Sequence, residues 1–323
     1  MKKIEKQELF GREVYCLVNG LWTVYCDPED GMNLCRILYD GKLVVDSDAA
    51  RRKEGGTYGV PILFPTPNRV RDWTFTFAGK SYPAWMHGIV RREPFGKIKT
   101  VAAGSCFETA KTGGEEIPFE EADVPSDAVR ISGTLSVRKG DALYEKFAFE
   151  YDLTVHITVF PDRIEYDYEV HNLGEEALPF GFALHPFFVN ESGDAKLQFF
   201  ADRFMNMDEA CLPDGSLADY TGEGRKAPAL VSDLDLNLVY LNPKNPAAVM
   251  WLDAGTLTLE MGPTFTHLVI YTPQGKPYFC VEPQTCSTDA HNLYAQGLIE
   301  EAGLLIAKPG ETIRDTVVFR MNN

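Results

Sequence analysis

The chain has 323 residues, 45% of them hydrophobic and 24% charged, the balance of an ordinary globular protein. A formal charge of −16 disfavours nucleic acid and anionic membranes as partners, because both need a basic surface. No apolar run approaches membrane-spanning length, and seven cysteines without a Cys-x-x-Cys argue against a disulfide framework or a thiolate metal site.

Met1-Lys2-Lys3 runs into Glu5, Gln7 and Glu8 rather than an apolar segment, so no secretory leader is expected and a reduced, cytoplasmic setting is. Residues 14–18, 21–26, 34–39 and 43–45 read as short strands, separated by Asn19-Gly20, Pro28-Glu29-Asp30-Gly31 and Asp40-Gly41. The stretch from Gly59 to Arg92 then breaks the pattern. Its apolar run Val60, Ile62, Leu63, Phe64 is interrupted by Pro61, Pro65 and Pro67, which excludes an ordinary helix or central strand. Asn68-Arg69-Val70-Arg71 follows at once, and residues 73–82 alternate as a strand pair about Gly79-Lys80 before His87-Gly88.

Residues 97–109 read as strand, and residues 111–127, acidic with Gly and Pro, as an exposed insertion. The clearest signal lies at 145–172, where Leu153, Val155, Ile157 and Val159, then Ile164, Tyr166, Tyr168 and Val170, alternate with polar residues about Pro161-Asp162. That is a long antiparallel hairpin with one wet face. Its phase puts His156 and His171 on the polar side, where both are expected to be solvated and silent on substitution. Further strands are expected at 178–188, 195–200, 237–241, 247–252, 256–260, 266–272, 278–282 and 313–321, with one short helix within 295–307. Many strands, Gly/Pro turns and no βαβ rhythm predict an all-β fold, a large antiparallel β-sandwich. Length alone would suggest two domains, but large all-β proteins often exceed that guide, and one unit over 1–323 is expected.

Of the six histidines, His87, His185, His267 and His291 remain as candidates. His185 sits in Leu184-His185-Pro186-Phe187-Phe188, and Glu282 in Cys280-Val281-Glu282-Pro283-Gln284-Thr285, both at the ends of apolar strands. A buried His held by a backbone carbonyl, and a Glu in a structural ion pair with Arg69, would explain each singly. Asp235, in Asp233-Leu234-Asp235-Leu236-Asn237, could be a turn cap, and His291 part of a turn. Cys280 and Cys286 read as small packing residues. Together, a Glu, two His and an Arg at strand ends point to carboxylate–imidazole acid/base chemistry. The rival, a two-His-one-carboxylate metal site, lacks any local His pair. No nucleophile elbow, phosphate loop or dinucleotide fingerprint is present, so no cofactor is expected.

These pieces resemble the aldose 1-epimerase (galactose mutarotase) family. The matching runs are Gly59-Val60-Pro61-Ile62-Leu63-Phe64-Pro65, Asn68-Arg69-Val70-Arg71, His87-Gly88 and His185-Pro186-Phe187-Phe188. Ala201-Asp202-Arg203, Asp208-Glu209, Leu212-Pro213-Asp214-Gly215, Cys280 to Thr285, and Thr288-Asp289-Ala290-His291-Asn292-Leu293 complete the set, which runs from about residue 30 onward. The resemblance implies a β-supersandwich and a mutarotase, with Glu282 as general base and His185 as general acid. It further implies Asn68, Arg69 and His87 on sugar hydroxyls, with Asp235 or else Asp233 beside them, and no metal. Residues 86–92 lack the Gly-Gly extension of the galactose enzymes, leaving the sugar open: a free hexose is expected, with a hexose 6-phosphate or a non-catalytic sugar-binding role as alternatives. The partner implied is a small sugar, and the chain is expected to be a monomer or homodimer.

Overall fold

In a computed structural model the described residues are 2–46, 54–102, 105–108 and 124–322, so the expected insertion at 111–127 falls largely outside them. Among the described residues two large antiparallel sheets dominate. The first, of 13 strands, begins with a meander of Lys2–Leu9, Arg12–Asn19, Trp22–Asp27, Asn33–Tyr39 and Lys42–Val45. It continues through Phe187–Val189, Tyr278–Gln284, His267–Tyr271, Asn237–Leu241 and Arg203–Met207 to Pro213–Asp219. The second, of 10 strands, centres on Val129–Val137, Tyr151–Val159, Arg163–Asn172, Thr312–Asn322 and Gly255–Met261. No helix among the described residues is long and apolar enough to cross a membrane.

Period-2 alternation explains the packing. Leu153, Val155 and Ile157 with Tyr166, Tyr168 and Val170 from the second sheet meet Leu268, Ile270, Phe279 and Val281 from the first in one apolar core. A smaller core of Val239, Leu241 and Val269 lies on the other face of the first sheet. It packs against Ala290 and Leu293 of the helix Ala290–Ala295 and Ala302 of the helix Ile299–Ala302.

Three expectations need correction. The helix expected within 295–307 is instead the end of one short helix, a second, Ile299–Ala302, and a strand, Leu305–Ala307. Gly297 and Gly303, both at positive φ, divide the segment. The strands Val129–Val137, Arg203–Met207 and Pro213–Asp219 were not expected; around the last two, Asn206, Asp208 and Asp214 interrupt any apolar alternation. His156 is 8% exposed, not solvated. Its phase is the polar one, but the register places it between Ser132 and Asp167 on neighbouring strands, which close over it. Ser132 Oγ lies 2.7 Å from its Nδ1, and burial, with Arg130 nearby, pushes its pKa down to about 4. Replacing it therefore removes a buried hydrogen bond instead of being silent. His171 is partly exposed, with Nδ1 2.7 Å from Thr312 Oγ1.

The 59–92 stretch is fixed by close backbone approaches. Ile62–Leu63 forms a two-residue strand against Ala183–Leu184, and Thr74–Phe77 with Lys80–Pro83 forms the expected hairpin. Gly88 crosses Phe64 so tightly that a Cβ there would lie 2.0 Å from the Phe64 carbonyl oxygen, and its φ is +75°. The Ile89 N–H donates to that same oxygen at 2.8 Å, and the His87 N–H donates to the Asn68 carbonyl at 2.8 Å. Asn68 and His87, 19 positions apart, are thereby held side by side.

Candidate active site

The strand Tyr278–Gln284 sends Phe279 and Val281 into the main core, so Cys280, Glu282 and Gln284 share the opposite face. His185 occupies the gap between Ala183–Leu184 and Phe187–Val189, both of which pair with that strand, and its N–H donates to the Pro61 carbonyl at 3.1 Å. The result is a direct contact: His185 Nε2 lies 3.3 Å from Glu282 Oε1, the residues being 7% and 2% exposed. The imidazole lies flat on Phe187, ring centroids 4.6 Å apart and planes 4° from parallel. His87 meets it edge-on at 5.4 Å.

The other carboxylate oxygen is held from behind. Gln284 Nε2 donates to Glu282 Oε2 at 3.0 Å and to Asn68 Oδ1 at 3.3 Å. Asn68 Nδ2 donates to Gln284 Oε1 at 2.9 Å and to Thr288 Oγ1 at 3.0 Å. The two amides form a reciprocal pair that steers Oε2 and leaves Oε1 facing His185. Burial pushes the Glu282 carboxyl up to about 8, against the lowering effect of the Gln284 donor. His87 is pushed down to about 4 by burial and by the Arg91 and Arg69 guanidinium groups. Arg69 is exposed, and its Nη1 donates to the Ala210 carbonyl at 2.7 Å. Among the described residues, the nitrogen facing the Glu282 carboxyl belongs to His185 and not to Arg69.

Of the expected site residues, Glu282, His185, His87 and Asn68 come together, while Arg69 contributes its charge beside His87. Asp235 and Asp233 are exposed ahead of the strand Asn237–Leu241, and no hydrogen bond or ion pair joins either to the cluster among the described residues. His267, fully buried, has Nε2 3.1 Å from the Glu301 carbonyl, and His291 has Nε2 3.3 Å from the Pro179 carbonyl while packing on Phe75; both are structural. Sequence reasoning missed Gln284, Phe187 and Asp289. Asp289, 2% exposed, accepts the Arg71 N–H at 2.9 Å and donates its own N–H to the Arg69 carbonyl at 2.9 Å, pinning the Asn68–Arg71 turn. The signal for Gln284 was present: it lies two residues from Glu282 in a strand, hence on its face.

Solved structures share this architecture over essentially the whole chain. A galactose mutarotase-like protein from Clostridium acetobutylicum superposes with a TM-score of 0.82 at 19% identity, covering 100% of this chain and 99% of that one. Galactose 1-epimerase from Lactobacillus acidophilus NCFM gives 0.73 at 16% identity, covering 100% and 99%. A galactose mutarotase-like protein from Lactobacillus casei gives 0.71 at 19%, covering 96% and 100%. The fold is therefore that of the galactose mutarotase-like proteins. The aldose 1-epimerase family model matches residues 113–320, and the chain belongs to that family.

Proposed function

We propose that the chain interconverts the α and β anomers of a free hexose such as glucose or galactose. The observation that carries this reading is the buried contact between His185 Nε2 and Glu282 Oε1. Anomer exchange opens a cyclic hemiacetal and closes it on the other face. Opening removes a proton from the C1 hydroxyl and delivers one to the ring oxygen. Those two oxygens share one carbon, so an acid and a base in near contact can reach both. Glu282 takes the hydroxyl proton and His185 supplies the other; after rotation about C1–C2, the transfers reverse. His87 and Arg69 hold the remaining hydroxyls, and Asn68 acts through Gln284 to keep Oε1 aimed at the reacting carbon. Each transfer is worth about 10²–10⁴-fold.

Polarimetry on fresh α-anomers tests the reading. Dialysis against a chelator should leave the rate intact; a loss restored by metal would overturn the two-residue mechanism.

Glu282 also ties activity and stability to pH in opposite directions. As base it must be ionised, so the acidic limb of the kcat/KM profile should rise with pH up to about 8. Its carboxyl stays protonated in the folded chain up to about 8 but ionises near 4.5 when unfolded. The folded state thus binds more protons over that window, and the stability it contributes, full below 4.5, is lost as pH rises to about 8. Wild-type melting temperature should fall relative to Glu282→Gln between pH 5 and 8. Parallel melting curves with a flat rate profile would show that Glu282 does not titrate there.

One observation favours a second reading, a hexose 6-phosphate. Arg69 and Arg91 both bear on His87, and neither has a carboxylate within ion-pair distance among the described residues. Against it, a phosphate dianion needs several converging donors, and the net charge of −16 repels anions at long range. Comparison of kcat/KM for glucose or galactose and for glucose 6-phosphate decides. The free sugar should be preferred; a tenfold preference for the phosphate (about 1.4 kcal/mol) that vanishes in Arg91→Ala establishes the second reading.

A further inference from the structure

We propose that His185, Cys280 and Glu282 form a site for a thiophilic divalent cation of the zinc class, and that filling it stops turnover. The second half rests on the acid/base reading above; the first does not. The imidazole nitrogen, the Cys280 sulfur and a Glu282 oxygen all lie within 4.8 Å of one another, and all three residues are buried. The arrangement follows from strand register. Cys280 and Glu282 are alternate residues on one face, and Phe187, two residues after His185, pairs directly with Cys280.

A tetrahedral cation with bonds of about 2.0–2.3 Å sets its ligands roughly 3.3–3.8 Å apart. The Nε2–Oε1 edge already measures 3.3 Å, and side-chain rotation of about an ångström closes the rest. The supporting contacts suit a metal as well as they suit catalysis. Gln284 engages Oε2 and leaves Oε1 facing inward, while Phe187 fixes the imidazole plane.

Charge selects the ion. Binding releases the thiol proton, the Nε2 proton that His185 holds as acid, and the carboxyl proton when present, giving one thiolate, one carboxylate and a neutral imidazole around a dication. That assembly has no net charge, so it can exist where an isolated buried carboxylate is resisted. Imidazole and thiolate disfavour magnesium and calcium, which take oxygen. Three protein ligands leave a fourth position open, as in sites that accept water or an exogenous oxygen. Bound there, the cation occupies His185 Nε2 and Glu282 Oε1, the two atoms the proton transfers need. No other grouping of three such ligands occurs among the described residues.

The probe is Co²⁺, added to purified full-length protein at pH 7.5. One equivalent should bind with a near-ultraviolet thiolate-to-cobalt band, absent in Cys280→Ser and retained in Cys211→Ser, whose cysteine lies outside the grouping. X-ray absorption on the zinc-loaded wild-type protein should show one sulfur among the ligands, a readout that does not depend on a variant folding. Zn²⁺ should lower the mutarotation rate at least tenfold, reversibly with chelator, and Cys280→Ser should need at least tenfold more zinc for the same loss. A band surviving in Cys280→Ser, or zinc without sulfur in its shell, overturns the site. Zinc bound through sulfur with an unchanged rate overturns the inhibition. A protein inactive on every sugar that still binds cobalt through Cys280 refutes the catalytic reading and leaves the site standing.

Discussion

Glu282→Gln and His185→Asn are each expected to lower kcat for mutarotation by about 10²–10⁴-fold while sugar binding stays measurable. Glutamine keeps the shape of Glu282 and can accept the Gln284 donor through its carbonyl oxygen, so what disappears is the titrating group and not the fold. Asparagine at 185 loses the stack on Phe187 as well as the proton, and a modest loss of stability should accompany its rate defect. Because one residue takes a proton as the other gives one, the pair acts as a unit. The double variant should be little slower than either single one. Polarimetry under saturating sugar, with binding measured by calorimetry, reads both quantities. A near-normal rate in either variant would make that residue structural, and fully multiplied defects would mean the two act in separate steps.

Gly88→Ala should be the most damaging single-methyl change in the site. Two costs combine there. The residue sits at φ +75°, and the added carbon would lie 2.0 Å from the Phe64 oxygen, a backbone atom that cannot swing aside. Positive φ alone costs an alanine about 1–2 kcal/mol, and overpacking adds about 1–3 kcal/mol. Gly79 is the matched control, at φ +78° with nothing within 4 Å of a built Cβ. Gly79→Ala should show the first cost alone and keep activity. Gly88→Ala should melt several degrees lower and lose activity, since forcing Phe64 away separates Asn68 from His87. Equal melting temperatures for the two variants would show that the crossing yields to strain.

The all-β architecture was legible because its strands alternate cleanly. The hairpin of Tyr151–Val159 and Arg163–Asn172 declares both its period and its turn, and the phase of every residue in it is as expected. What alternation could not convey is how open a face is. His156 is on the polar side and yet buried, because that depends on Ser132 and Asp167, which come from other strands. The site was legible in the same partial way. Glu282 and His185 stood out as titratable groups in apolar surroundings, and the structure brings them into contact. The amide pair behind them was hidden, since nothing local in Asn68 announces a partner at Gln284. Cys280 is buried, as a small packing residue is expected to be, and its place beside His185 and Glu282 follows only from the strand register, which pairs it with Phe187.

The amide pair joins residues 216 positions apart, and the strand that closes it lies in the middle of the first sheet, between Phe187–Val189 and His267–Tyr271. During synthesis, the edges of Ala183–Leu184 and Phe187–Val189 wait for Tyr278–Gln284 while about 90 further residues are added. At ordinary elongation rates that interval is roughly 5–20 s, with backbone donors and acceptors uncovered throughout. A nascent chain in that condition is open to pairing with its neighbours on a polysome, so the demand for chaperone protection is concentrated in this window. Refolding from denaturant inherits the same order: pairings this distant in sequence are slow to find one another.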